Sequence, residues 1–231
     1  MTALATTWTI AAVTLRRLVR GRALWVSVAI AVLPVGFAYL LHARGRSEHG
    51  VLVDVLAFEQ LVLAVLPALF IASSIGEEIE DRTTTYLWSR PIPRWSIVAG
   101  KLVALAPIIC ALSLASWSAA VLAGVGTLPE LRSDVALALG AIALSMIAAT
   151  LGVLVPRYAM AVTICYMLFL DLPLGAMPAS IRNLSVTYHV RVIADVLGKA
   201  TETASHSVIA IAVIAAIWTV VGVLRVRRLE A

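Results

Sequence analysis

The sequence predicts an all-α integral membrane protein of six transmembrane helices. Three observations carry that expectation. The 231 residues are 61% hydrophobic and only 13% charged, with a mean hydropathy of +0.99. Soluble domains carry roughly 45–50% apolar and about 25% charged residues, so a soluble core cannot absorb this excess but lipid can. The apolar residues also fall into runs of about 20, the length that crosses a hydrocarbon core of roughly 30 Å. Finally, one long polar stretch, Gly76–Trp95, interrupts them.

Residues 2–22 come first. Leu4, Trp8, Ala11, Ala12, Leu15 and Leu18 recur near helical spacing, with Arg16, Arg17 and Arg20 alongside. This reads as an amphipathic helix over 1–22 on the inner leaflet, its cations meeting anionic headgroups. A plain extension of the first span is the alternative. The spans are expected at 23–41, 53–75, 96–124, 134–155, 158–177 and 207–225. The first has a basic cluster before it, as a signal peptide would. At about 19 residues it exceeds a signal core of 7–15, and no clear cleavage site follows, so it is expected to be retained. The third is longer than a bilayer requires and should tilt or protrude.

The connections are short. His42–Gly50 and Gly124–Ser133 are outer loops, and Pro156-Arg157-Tyr158 is a tight inner turn. Ala176–His206 is the longest outer segment and is too apolar for a free loop. It is expected to hold short extracellular helices near Pro178–Leu184 and Val190–Ala200, where Ile193, Val196 and Leu197 repeat at helical spacing. The fifth span is expected to run through Pro173 to 177; a helix ended early at Pro173, leaving Asp171 near water, belongs to the competing reading of that carboxylate.

The net charge of +5 reports orientation rather than nucleic-acid binding. With the N-terminus inside, the inner segments hold Arg16, Arg17, Arg20, Arg22, Arg82, Arg90, Arg94, Lys101, Arg157, Arg225, Arg227 and Arg228. The outer segments hold only Arg44, Arg46, Arg132, Arg182, Arg191 and Lys199. Both termini are therefore expected in the cytoplasm of a cell inner (plasma) membrane protein.

Catalytic signatures are absent from the sequence. Ala99-Gly100-Lys101-Leu102 is the nearest approach to a phosphate loop, but it lacks the Ser/Thr after Lys and the earlier Gly. Neither His-Glu-x-x-His nor Gly-x-Ser-x-Gly occurs. His42, His49, His189 and His206 are isolated in sequence and read as polar loop residues rather than metal ligands. Cys110 and Cys165 fall in spans and read as buried packing thiols. No catalytic, cofactor or metal residue is assigned, and energised work would draw on another chain. A membrane-embedded enzyme would need clustered polar residues within the spans, and only Asp54, Glu59, Gln60 and Asp171 qualify.

The central loop has its own logic. Glu77, Glu78, Glu80 and Asp81 solvate an extension of the second span. Thr83–Ser89 makes a short amphipathic piece with Tyr86, Leu87 and Trp88. Pro91 and Pro93 then force a turn. This is either a short helix that passes a push from a docked protein into the membrane or a charged hairpin that only satisfies topology. The pattern leaves the two even.

The run Glu78-Ile79-Glu80-Asp81-Arg82-Thr83, then Leu87, Ser89-Arg90-Pro91-Ile92, Arg94 and Gly100-Lys101, resembles the ABC-2 type transporter permeases. In that family E-x-E-x-G-T leads to L-x-S-x-P-x-S-R and then G-K. Arg82 stands at the usual Gly and Pro93 at the usual Ser, two departures that leave the order of acids, turn and basic residues intact. Six spans, the N-terminal helix, the loop after the second span and the insertions before the sixth match as well.

The resemblance implies one transmembrane permease domain over 1–231, without chemistry of its own. It implies a partner ABC ATPase holding ATP and Mg²⁺, and a second permease copy, identical or related. Loop 76–95 would hold the coupling helix, with Glu78, Asp81, Arg82, Thr83, Leu87, Ser89, Arg90, Pro91 and Arg94 as coupling residues. Segment 176–206 would hold the extracellular helices. The cargo expected from spans poor in ionisable groups is a small hydrophobic or amphipathic compound, exported. A non-transporting membrane anchor through which an ATPase drives a periplasmic or extracellular partner is the alternative.

In that family the second and fifth spans line the pathway. Glu59 and Asp171 would each lie about six residues from the outer edge, about 9 Å deep. With Gln60 they are candidate pathway residues rimming an outer vestibule. The competing reading is that both carboxylates reach the interface or pair with arginines such as Arg182.

Overall fold

The computed structural model describes residues 3–80, 94–178, 180–195 and 204–228. No strand occurs among them, and six helices are long and apolar enough to cross a membrane: Arg22–Ala43, Glu48–Gly76, Trp95–Val125, Leu131–Leu154, Pro156–Ala176 and Ala204–Val226. The chain is a multi-pass membrane protein.

Burial sorts the spans into two layers. In the apolar stretches of the second and fourth spans 72% of residues are buried, against 22–28% in the others. The second and fourth therefore form the centre and the rest surround them. Leu63, Leu66, Ile71, Leu137, Leu144 and Ile147 are fully buried between them. The outer spans turn Trp25, Leu33, Val103, Phe169 and Ile217 outward, as apolar side chains do when the solvent is lipid.

The N-terminal helix, Ala3–Arg20, is separate from the first span and not its extension. Gly21 between them is extended, at φ −87° and ψ 157°. The helix lies against the third span at Gly100, where an added Cβ would meet the Thr7 carbonyl at 2.8 Å. Ala11 and Leu18 are buried there, while Leu4 and Trp8 stay 79% and 72% exposed.

The second span begins at Glu48, five residues before the hydropathy edge. Ser47 caps it by accepting from the Gly50 N–H at 3.3 Å, with Glu48 in the first turn. Arg46 pairs with Asp54 at 3.0 Å. The span then passes Pro67 into a π-helical turn, Ala68–Ala72. Proline removes one backbone donor, and a widened turn is a usual accommodation. The third helix, Arg94–Val125, runs 32 residues, about 48 Å at 1.5 Å per residue, and so exceeds a bilayer core.

Pro173 does not end the fifth helix. A π-helical stretch, Tyr166–Asp171, precedes it, and the helix continues as Leu172–Ala176. Proline there falls in the first turn of a renewed segment, where its missing N–H costs least. Of the expected outer helices, a 3-10 turn Ser180–Leu184 replaces the first. The second starts at Val186, not Val190, and ends at Ala194 rather than Ala200. Asp195 stops it in the left-handed region at φ 49°. Residues 196–200 lie outside the described set.

Cys165 is exposed on the outer face of the fifth span rather than buried, and Cys110 is half-buried. Helical phase decides this: both stand in apolar runs, but Cys165 faces outward.

Candidate functional site

Two polar constructions stand at opposite ends of the bundle. The first flanks the central loop. The helix Ser73–Glu80 carries the chain into it and Arg94–Val125 carries it out. Glu78 and Arg94 belong to those helices by backbone. Asp81, Arg82, Thr83, Leu87, Ser89, Arg90 and Pro91, with the expected coupling helix Thr83–Ser89, lie outside the described residues.

Both stems are fastened to the bundle. An added Cβ at Gly76 would meet the Pro156 carbonyl oxygen at 2.6 Å and Ala159 Cβ at 2.8 Å. Only glycine lets the second span touch the turn between the fourth and fifth. Gly152 on the fourth span sits similarly against Ala72 and Ile75, with its nearest contact at 3.3 Å. On the outgoing stem, Lys101 is 1% exposed and its ammonium donates to the Ser74 carbonyl of the incoming one. Gly100 and Lys101 lie inside a helix, so they form no phosphate-binding loop.

At the opposite end the helix Val186–Ala194 is buried between spans, with Val186, Thr187, His189 and Val190 all at 2% exposure or less. Its N-terminus meets Asp171. Oδ1 accepts from the Val186 N–H at 2.8 Å and Oδ2 from the Thr187 N–H at 3.1 Å. The Ser185 hydroxyl donates to the Asp171 carbonyl at 2.8 Å and accepts from the Tyr188 N–H at 3.2 Å. A carboxylate on the orphan N–H groups of a helix start is a favourable electrostatic arrangement.

Gln60 holds the same helix from the second span. Its Nε2 donates to the Thr187 carbonyl at 3.0 Å, and its Oε1 accepts from Arg191 Nε at 2.7 Å. Burial pulls the Arg191 guanidinium down from its ordinary value, and the nearby Asp171 charge opposes that. An arginine starts high enough to remain a cation regardless. His189 is bonded to the Ser207 hydroxyl at 3.1 Å and the Asn183 carbonyl at 3.0 Å, which ties the helix to the sixth span. Gly140 of the fourth span admits Val190, whose Cγ2 would lie 2.6 Å from an added Cβ.

Several expectations change on this geometry. Asp171 is 1% exposed and bonds backbone N–H groups, so it is neither near water nor paired with Arg182. Arg182 instead lies over the Tyr188 ring, 4.7 Å from its centroid. His189 is a buried member of the network rather than a polar loop residue. Glu59 stands eleven residues into its helix, about 16 Å along it, because that helix starts at Glu48. It faces the third span, where Ser116 donates to Oε2 at 2.8 Å and Oε1 has no partner among the described residues. The fold thus brings Gln60 and Asp171 together through one helix and turns Glu59 away. All three are buried inside the chain rather than set on a rim.

The sequence reading missed Arg191, Ser185 and Thr187. The signal available was Ser185 standing before an apolar segment, the pattern of a helix cap. Nothing local pointed to Asp171, fourteen residues earlier, as its partner.

Comparison with family models finds a match over residues 15–169 to the family described as ABC-2 family transporter protein. The match covers more than half of the chain. No curated protein matches it.

Proposed function

This chain belongs to the ABC-2 transporter family, and from that premise we propose that it exports a small hydrophobic or amphipathic compound, driven by a separate ATPase. The family makes it a membrane permease subunit that associates with an ABC ATPase subunit. ATP and Mg²⁺ would bind that partner, and two permease copies would form the pathway.

The observation that most supports this reading is the pair of fastened stems. A push on residues 81–93 enters the second span, which bears on the Pro156 turn at Gly76. It also enters the third, which is tied to the second by Lys101. Glu78, Asp81, Arg82, Thr83, Leu87, Ser89, Arg90, Pro91 and Arg94 would receive that push on the cytoplasmic side, where both termini would also lie. Gln60 and Asp171 would fasten the outer helix as a far-end gate, with Glu59 lining the third-span side. A membrane anchor serving an external partner would keep the loop and need no gate.

Inverted membrane vesicles separate these readings. ATP added outside should drive a hydrophobic cation or amphipathic dye into the lumen. An impermeant thiol reagent should label a cysteine placed at Ser89 in these vesicles and not in right-side-out ones. Labelling of Ser89 in right-side-out vesicles would overturn the topology. ATP-independent dye distribution across a broad panel would favour the anchor.

A further inference from the structure

The second and third spans, which continue the two stems of the central loop, meet in one antiparallel register. At the stem the Ser74 carbonyl takes the Lys101 ammonium. Midway the Glu59 carboxyl takes the Ser116 hydroxyl. At the outer end Val51 meets Gly124, its Cγ1 lying 2.7 Å from where an added Cβ would stand. Glu59 is eleven residues from Glu48 and Ser116 nine from Val125, about 16 Å and about 14 Å along their helices. The middle contact therefore lies deep in the membrane.

That contact is incomplete. Glu59 is 0% exposed, and while its Oε2 accepts from Ser116 at 2.8 Å, its Oε1 has no partner. Ser113, one turn from Ser116 on the same face of the third span, is also fully buried, and its hydroxyl has no partner either. An ionised carboxylate only accepts, with about four lone-pair sites, and a buried one persists only where it is paired and hydrogen-bonded. None of the surrounding elements supplies a cation. The first span has no ionisable residue between Arg22 and Tyr39. On the third, Lys101 is fifteen residues from Ser116, about 22 Å along the helix. On the fourth, Asp134 is itself an acid, beside the Ser133 that accepts from Trp117, and the exposed Arg132 faces Asp195 at 3.9 Å. Arg46, before the second span, pairs with Asp54. On the fifth, Tyr166 and Asp171 bring no positive charge, and Arg191 of the outer helix is taken by Gln60.

We propose that Glu59 is a proton-binding site, holding one proton on Oε1 and joining the second span to the third as the neutral acid. Its Oε2 is then the carbonyl that takes the Ser116 hydrogen, and its Oε1 hydroxyl brings a donor to a wall whose other bare oxygen is on Ser113. A hard metal cation takes about six or more oxygens, and a proton needs one. Carboxyls inside a bundle commonly serve as proton relays. A push that slides one stem past the other would strip Ser116 from Glu59 and admit water, so the proton leaves as the spans part and its return favours the closed register. The site itself rests on the packing of these spans and depends on neither the cargo nor the ATPase.

Infrared spectra of the chain reconstituted in lipid at neutral pH test this. Wild type should show a carboxylic acid C=O band that Glu59→Gln lacks. In deuterium oxide that band should shift no faster than the amides of the second span exchange, because protein encloses Glu59. Ser116→Ala removes the donor to Oε2, so the band should persist and rise in frequency, which also covers the case in which Glu59→Gln does not fold. Loss of carboxylate bands alone in Glu59→Gln, an acid band unmoved by Ser116→Ala, or immediate exchange would each overturn the site. Carboxylate bands of Glu59 that move when Na⁺ replaces K⁺ would reassign it to a metal ion.

Discussion

Replacing Asp171 by alanine should loosen the outer helix Val186–Ala194 at its N-terminus. Its carboxylate is the acceptor for two buried backbone N–H groups, at Val186 and Thr187. Hydrogen bonds to a charged group contribute about 1.5–3 kcal/mol each, and these share one acceptor, so a loss of roughly 3 kcal/mol is expected. The N–H groups left behind are enclosed by protein, where water does not replace the bond. Hydrogen exchange across Val186–Ala194 should then quicken roughly 150-fold, at 1.4 kcal/mol per factor of ten. Asp171→Asn keeps one oxygen acceptor and should fall between. Gln60 still bonds Thr187 and Arg191, so the helix should loosen without leaving its place. Unchanged exchange in the alanine variant would show that apolar packing alone holds the helix.

The second large effect is expected at Gly76, with Gly36 as its counterpart. Alanine in place of glycine normally stabilises a helix by about 0.5–1 kcal/mol. At Gly36 nothing lies within 4 Å of the new methyl, so that gain should appear in full. At Gly76 the methyl would lie 2.6 Å from a backbone oxygen, and backbone does not swing aside as a side chain does. Overpacking of this kind costs about 1–3 kcal/mol, which exceeds the gain. Thermal denaturation in one lipid should therefore move in opposite directions, down for Gly76→Ala and up for Gly36→Ala. A Gly76→Ala protein as stable as Gly36→Ala would mean that the second span does not bear on the Pro156 turn.

The spans were legible because a bilayer demands long apolar runs, and such runs are a local property of sequence. Their ends were less so. Glu48 and His49 kept the hydropathy edge of the second span near Val53, but a capped helix start tolerates polar residues. The depth assigned to Glu59 shifted with that edge. The position of Pro173 suggested a helix end, yet the π-helical stretch before it let the chain restart. Asp171 was singled out correctly as an ionisable group inside a span, but its partners are backbone groups fifteen and sixteen residues away. No periodicity records a pairing of that kind. Gly76 was visible only as a glycine and Gly100 only as part of a Gly-Lys pair, and their packing roles depend on Pro156 and Thr7 arriving opposite them. Burial of His189 has the same origin: its segment looks like a loop until four spans enclose it.

The central claim is that a separate ATPase works this permease through residues 81–93. The most direct measurement is purification of the tagged chain in mild detergent, with Leu87→Asp alongside. The account predicts that wild type retains a second, ATP-hydrolysing chain. It predicts that Leu87→Asp inserts normally but loses that chain, since an unpaired charge in a desolvated contact costs several kcal/mol. A wild-type permease that purifies alone, or a Leu87→Asp variant that keeps a fully active ATPase, would contradict it.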